Sequence, residues 1–135
     1  FILVSDKTTE GLKLNQPAGH VEANESILEA TTREVKEETS LDFIPEHLIG
    51  VYYFQANANN TYVRFCFSGS LNDYTKMPQP SATDEDVVAV DWYLESEIRA
   101  KSAEHRSPIV LRCLNDYLAG KKFPLEVINY IQLQA

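Results

Sequence analysis

Two periodicities alternate along this chain. Residues 1–4, Phe-Ile-Leu-Val, are a continuous apolar run, residues 6–11 a polar turn, and residues 12–15 a second short strand, which together predict a hairpin. Pro17, Ala18 and Gly19 then open a loop. From Glu25 to about Thr39 the spacing becomes helical: at ~100° per residue, Leu28, Thr31 and Val35 define an apolar arc. Asn24 is the expected N-cap, and Glu25 follows early, where the helix dipole favours an anion. Residues 49–55 and 61–67 are aromatic and β-branched, and Asn57-Ala58-Asn59-Asn60 between them predicts a hairpin. In the second run Val63, Phe65 and Phe67 alternate with Tyr62, Arg64 and Cys66, as on a two-faced strand. Residues 71–85 carry prolines and acidic turns without periodicity and read as a long surface loop.

Residues 87–94 predict a strand, and Ser96 starts a short helix. Ser107-Pro108 has the form of an N-cap followed by an N1 proline. Ile109, Val110, Cys113, Leu114, Tyr117 and Leu118 form the stripe of a last helix, which Gly120 stops. There is no internal repeat, low-complexity tract or linker. Strands on both sides of a helix, with another helix near the end, predict an α/β/α sandwich around a mixed sheet. At 135 residues the chain supports one domain, spanning 1–135.

The central helix also carries the chemistry. Glu34, Glu37 and Glu38 are three and four residues apart and share one side of it. Like charges at these spacings repel by roughly 0.2–0.5 kcal/mol per pair, and in the last turns the macrodipole disfavours anions. Glu25, Glu29 and Lys36 lie opposite the apolar arc and already supply a solvated face. Glu34 and Glu38 instead border the buried stripe, which points to a divalent cation that turns repulsion into coordination.

The formal net charge of −8 argues against non-specific binding to polymeric nucleic acid or to an anionic membrane surface. Small polyanions remain possible substrates where metal ions neutralise a site locally. Cys66 and Cys113 are too few for a disulfide framework and sit in apolar patterns, so buried free thiols and a cytoplasmic setting are expected. No run is long enough to span a membrane.

Gly19, five residues, Glu25, seven residues, then Arg33-Glu34-Val35-Lys36-Glu37-Glu38-Thr39-Ser40-Leu41 resembles the Nudix box, the signature of hydrolases of nucleoside-diphosphate-linked compounds. One defined position departs: the family's glycine is Ser40 here, where a helix usually leaves through a left-handed residue, so a strained exit is expected. Pro17-Ala18-Gly19, Arg64-Phe65, Gln79-Pro80, Arg106-Ser107-Pro108 and Phe123-Pro124-Leu125-Glu126 extend the likeness to the NudJ-type bacterial phosphatases of this family, over nearly the whole chain. Nudix domains have the layered architecture inferred above. They carry one more strand before the first apolar run, so a segment of ~10–15 residues is expected ahead of Phe1.

The resemblance implies Mg²⁺, with Mn²⁺ a possible substitute, held by the carboxylates of Glu34, Glu37 and Glu38 and by the Gly19 carbonyl. It makes Glu34 the expected general base for an attacking water and gives Arg33 the task of orienting a glutamate, a surface pair being the alternative. Glu25 reads as structural. Arg64 shares a strand face with Tyr62 and either meets substrate phosphate or forms a cross-strand ion pair. Asp86, of Asp84-Glu85-Asp86, either assists the metal or lies in a solvated loop, and His20 either touches substrate or packs its loop. Tyr52, Tyr53, Phe54 and Tyr62 either stack a base or belong to the core. The implied function is stepwise release of orthophosphate from nucleoside tri- and diphosphates and from hydroxymethylpyrimidine pyrophosphate. An ADP-ribose or dinucleoside-polyphosphate hydrolase, or a nucleotide-binding Nudix module without activity, are the alternatives.

Overall fold

The computed structural model describes residues 1–80 and 85–133. In it β1 (Ile2–Thr8) lies between β2 (Gly11–Asn15) and β5 (Val87–Trp92), antiparallel to both. A second antiparallel ladder joins β3 (Phe43–Gln55) to β4 (Thr61–Leu71). The helices are α1 (Ile27–Thr39), α2 (Glu95–Ala100) and α3 (Ile109–Leu118), with 3₁₀ turns at Ser102–Glu104 and Leu125–Val127. Both α1 and α3 pack on β3, and α1 also touches β5. Leu3, Leu14, Ile98 and Leu114 join β1, β2, α2 and α3 in one buried cluster, against which Tyr93 and Leu111 pack. None of the described helices is long and apolar enough to cross a membrane.

The layered α/β architecture expected from the sequence is present. Among the described residues its strand ladders are antiparallel, and the parallel component is a single bridge between Leu14 and His105. That bridge has no room to lengthen, because His105 stands between a 3₁₀ turn and Pro108, which cannot donate a ladder hydrogen bond.

Several boundaries differ from the pattern reading. β1 continues through Asp6, Lys7 and Thr8, which the polarity of the sequence assigned to a turn. Asp6 is buried in the strand because Arg106 Nη1 meets its Oδ2 at 2.6 Å. The turn is Thr9-Glu10, closed by Gly11 at φ +100° and by the Thr8 hydroxyl donating to the Gly11 carbonyl at 2.6 Å. β3 starts at Phe43, six residues before the expected strand, and its register shifts beside Pro45, whose missing N–H suits a bulge. β4 continues to Leu71, so the following loop begins at Asn72, with Asp84 outside the described residues. α3 begins at Ile109, one residue later than expected, with Pro108 itself at the N-cap; the Ile109 N–H donates to Ser107 Oγ, and Gly120 at φ +81° follows the helix. Of its predicted stripe, Ile109, Val110, Cys113 and Leu114 are buried, whereas Tyr117 and Leu118 are exposed.

The exit of α1 follows the expectation for Ser40. Its backbone is left-handed, at φ 65° and ψ 8°, and its N–H bonds to the Lys36 carbonyl. The Ser40 hydroxyl also donates to the Gln79 carbonyl at 2.9 Å, while the Gln79 N–H donates to the Thr39 carbonyl at 2.9 Å. The serine therefore carries a strained backbone and an anchor for the 72–80 loop together. Ser40→Gly relieves roughly 1 kcal/mol of strain and loses a hydrogen bond worth about 0.5–1.5 kcal/mol, so its thermal midpoint should stay close to that of the wild type. Ser40→Ala keeps the strain and loses the bond, and should lower stability by about 1 kcal/mol. Thermal denaturation of both variants separates the two contributions.

Candidate active site

Helix α1 begins two residues later than Asn24 would start it. Its N-cap is Ser26, whose hydroxyl accepts from the Glu29 N–H while the Glu29 carboxylate accepts from the Ser26 N–H, a reciprocal capping box. Asn24 instead has φ 65°, a left-handed turn position that asparagine tolerates. Glu25 consequently precedes the helix and is not on its solvated face. It accepts from the Glu22 N–H at 2.7 Å and turns its carboxylate inward toward Arg33.

Arg33 is the hub of the site. Its Nε and Nη2 donate to the two oxygens of Glu25 at 3.0 and 2.8 Å, a planar fork on a carboxylate. Nη1 donates to Glu34 Oε1 at 2.8 Å and to Glu37 Oε2 at 3.1 Å. Nη2 also reaches the His20 carbonyl at 2.9 Å and so ties down the loop. These bonds, first those to Glu25 and then those to Glu34, raise the guanidinium pKa further above its ordinary value. In return, hydrogen bonds from Arg33 and then from the Glu22 N–H hold the Glu25 carboxyl below its ordinary 4.5. Arg33 thus contacts Glu34 and Glu37 as well as Glu25.

Glu38 lies on the buried side of α1, 4% exposed, and its Oε2 accepts from the Ala18 N–H at 2.9 Å. Gly19 comes next in the chain, and a Cβ there would collide with the carboxylate of Glu34. A side chain at this position would therefore displace the Glu34 carboxylate from where Arg33 holds it. The 18–20 backbone is therefore fixed at three successive points: on Glu38, against Glu34 and on Arg33.

All-oxygen donors, two of them sheltered on one side of a helix beside a closely approaching backbone, match a hard divalent cation in kind. In the arrangement described, Glu34 and Glu37 are drawn onto Arg33, and no three Asp, Glu, His or Cys side chains among the described residues converge on one point.

Arg64 is half-buried on β4, opposite Tyr52 of β3. Its Nη1 donates to Asn15 Oδ1 at 3.1 Å, with Gln16 Oε1 at 3.5 Å. The cross-strand ion pair is overturned, since the opposing residue is a tyrosine and the partners are neutral amides at the end of β2. Tyr62 is exposed on β4, whereas Tyr52 is turned inward, its hydroxyl donating to Asp116 Oδ2 at 2.7 Å. Asp86 is exposed just before β5, with its carbonyl accepting from the Lys7 N–H at 2.7 Å. Both cysteines are free thiols, Cys113 buried and Cys66 half-buried, and the Cys66 thiol is pushed up by its hydrogen bond to Cys113 and then by burial.

Asn15, Gln16 and Asp116 escaped the sequence reading. Asn15 and Asp116 are polar residues buried inside otherwise apolar elements. Burial of that kind requires a partner, yet nothing local in the sequence identifies one 49 or 64 residues away.

A carboxylate-lined helix, entered through a glycine loop and braced by an arginine, has the form expected of a hydrolase of phosphoric anhydrides. The NUDIX domain family matches residues 1–113, and the chain belongs to that family. It is 37% identical over 128 residues to the phosphatase NudJ of Shigella boydii, covering 94% of this chain and 81% of that protein. The phosphatase NudJ of Escherichia coli is 36% identical over the same shares of the two chains. A Nudix hydrolase from Nitrosomonas europaea superimposes with a TM-score of 0.87 at 44% identity, covering 96% of this chain and 87% of that one.

Because folding lowers the Glu25 pKa, the unfolded chain binds more protons in the acid range, and stability falls with pH there. The contribution of Glu25 should be complete above pH 4.5 and lost as the pH drops through its folded-state value. Glu25→Gln should accordingly lower the midpoint at neutral pH and flatten its decline below pH 4.5, as measured by thermal denaturation across a pH series.

Proposed function

We propose that this chain is a Mg²⁺-dependent phosphohydrolase of nucleoside tri- and diphosphates, with hydroxymethylpyrimidine pyrophosphate a further candidate substrate, and that it releases orthophosphate stepwise. The observation that carries this reading is that one side of α1 meets one loop and one arginine: Glu38 accepts from the Ala18 N–H, Glu34 lies against Gly19, and Glu34 and Glu37 both accept from Arg33. The sequence-wide likeness to proteins named phosphatases supports the order of product release. The two free thiols fit the cytoplasmic setting expected from the sequence.

In this reading Glu34, Glu37, Glu38 and the Gly19 carbonyl hold Mg²⁺, with Mn²⁺ able to replace it. The bound ion would neutralise phosphoryl charge and ease deprotonation of water. Glu34 takes the proton of the attacking water. Arg33, anchored by Glu25, keeps that carboxylate in place while its partners change. The new bond forms between the water oxygen and the terminal phosphorus, and the bridging P–O bond breaks toward the shortened nucleotide. Arg64 and Tyr62 from the sheet, and His20 and Asp86 from the loops, form the substrate side of the pocket.

Glu38→Gln keeps an oxygen that can accept from the Ala18 N–H but removes the charge required by a cation. Turnover should nearly vanish while the thermal midpoint stays within a few degrees, a shift equivalent to roughly 1 kcal/mol for a domain of this size. Near wild-type rates at saturating Mg²⁺ would remove Glu38 from the ligand set. Glu34→Gln should cost about 10²–10⁴-fold in kcat, the usual range for a lost general base.

A nucleoside triphosphate should yield orthophosphate and a transient diphosphate, then the monophosphate, with Mg²⁺ required at each step. Hydrolysis in ¹⁸O-labelled water, with orthophosphate and pyrophosphate detected separately, identifies the phosphorus attacked. Pyrophosphate as the first product would favour the alternative pyrophosphohydrolase.

A further inference from the structure

Cys66 and Cys113 are 47 residues apart in sequence, yet the fold brings them together. On the β3–β4 ladder Cys66 stands opposite Gly50, and Arg64 opposite Tyr52, so these four residues share one face. A Cβ on Gly50 would come within 2.7 Å of the Tyr52 hydroxyl, so the tyrosine leans over the glycine beside Cys66. That hydroxyl donates to Asp116 Oδ2 at 2.7 Å. Asp116 and Cys113 are three residues apart on α3, both buried, and α3 packs on β3. One turn of α3 therefore lies over the Gly50–Cys66 pair, and the two thiols hydrogen-bond to each other across the sheet–helix interface.

The proton between them is unevenly held. Cys66 donates to Cys113, and this bond, then the positive charge of Arg64 and the Tyr52 hydroxyl, hold the Cys113 thiol below its ordinary 9.0 against the effect of burial. Cys113 is thus the more nucleophilic sulfur, since the thiolate is the reactive form. Cys66 keeps its proton and is half-buried, so it is the side from which a small reagent approaches. Neither thiol has a part in the proposed hydrolysis.

We propose that Cys66 and Cys113 form an oxidation site, at which a hydroperoxide closes a disulfide between β4 and α3. The Cys113 thiolate attacks one peroxide oxygen, the O–O bond breaks, and the departing oxyanion takes up a proton as water or an alcohol. This leaves a sulfenic acid on Cys113. The Cys66 sulfur then attacks Cys113: the S–S bond forms, the S–O bond breaks, and hydroxide leaves as water with the Cys66 proton. Two thiols are oxidised and one peroxide is reduced, and a dithiol reverses the bridge by exchange. The bridge ties the strand of Arg64 to the helix whose Val110 carbonyl holds Gln16, and so stiffens the frame of the 15–20 segment. The inference goes beyond the hydrolase reading and does not depend on it.

The test exposes the full chain to hydrogen peroxide, removes the excess with catalase, and compares the wild type with Cys66→Ser. In the wild type the free thiols should disappear, and the tryptic peptides carrying Cys66 and Cys113 should be joined within one chain. The thermal midpoint should rise by about 5–15 °C, as expected for a bridge closing a loop of this length in a domain of this size, and should return after dithiothreitol. Cys66→Ser keeps a donor to Cys113 but has no second sulfur. It should show no rise, and dimedone added with denaturant should label its Cys113. Two free thiols in the treated wild type, a bridge between two chains, a midpoint rise that persists in Cys66→Ser, or an unlabelled Cys113 in that variant overturns the proposal. If Cys66→Ser does not fold, the linked peptide and the reversible midpoint of the wild type decide.

Discussion

One guanidinium reconciles this helix with its own sequence. Three glutamates in the last two turns of α1 repel one another and oppose the helix dipole. Arg33 lies one residue before the first of them and shares a single nitrogen between Glu34 and Glu37. Such sharing requires that the guanidinium be held from elsewhere, and Glu25 does this with both carboxylate oxygens. Glu25 can do so only because the helix starts after it, at the Ser26 capping box. The cap, the fork on Glu25 and the carboxylate cluster are therefore one mechanical unit. The bonds of Arg33 to Glu25 and to the His20 carbonyl use other atoms than those to Glu34 and Glu37, so a cation bound by those two glutamates would not of itself release the loop.

The second constraint is the segment from Asn15 to His20. Nearly every residue in it has a fixed long-range partner, and most of those partners are polar or charged. A loop built for stability alone would bury apolar side chains. This one spends its contacts on orienting Arg64, Glu38, Glu34 and Arg33, residues that would otherwise be flexible. Rigid placement of charged groups before substrate arrives is what electrostatic catalysis requires.

Much of this was legible in the sequence where local physics dominates. The left-handed exit at Ser40 follows from helix termination, and the N-terminal end of α3 from Ser107-Pro108. The side of α1 that carries Glu34 and Glu38 follows from helical phase. The reading failed where a tertiary partner overrode local preference. Asp6 and Lys7 look like a turn until Arg106 is placed beside Asp6. Asn24 is a good N-cap by type, but Ser26 with Glu29 offers two reciprocal bonds where Asn24 offers one. Glu46 and Pro45 hide the start of β3, because a bulge breaks the alternation that pattern reading depends on.

The short motifs that extend the likeness beyond the box turn out to have structural partners. Gln79 accepts from Ser40 and donates to Thr39, and Arg106 pairs with Asp6 while its N–H bonds to the Leu14 carbonyl. Phe123 exchanges both backbone hydrogen bonds with Leu48. These residues brace the helix exit, the end of β2 and the edge of β3, the three places from which the site is built. Arg64 is the exception among them. Among the described residues its contacts are the neutral amide oxygens of Asn15 and Gln16, so it holds the end of β2 by hydrogen bonding and not by charge.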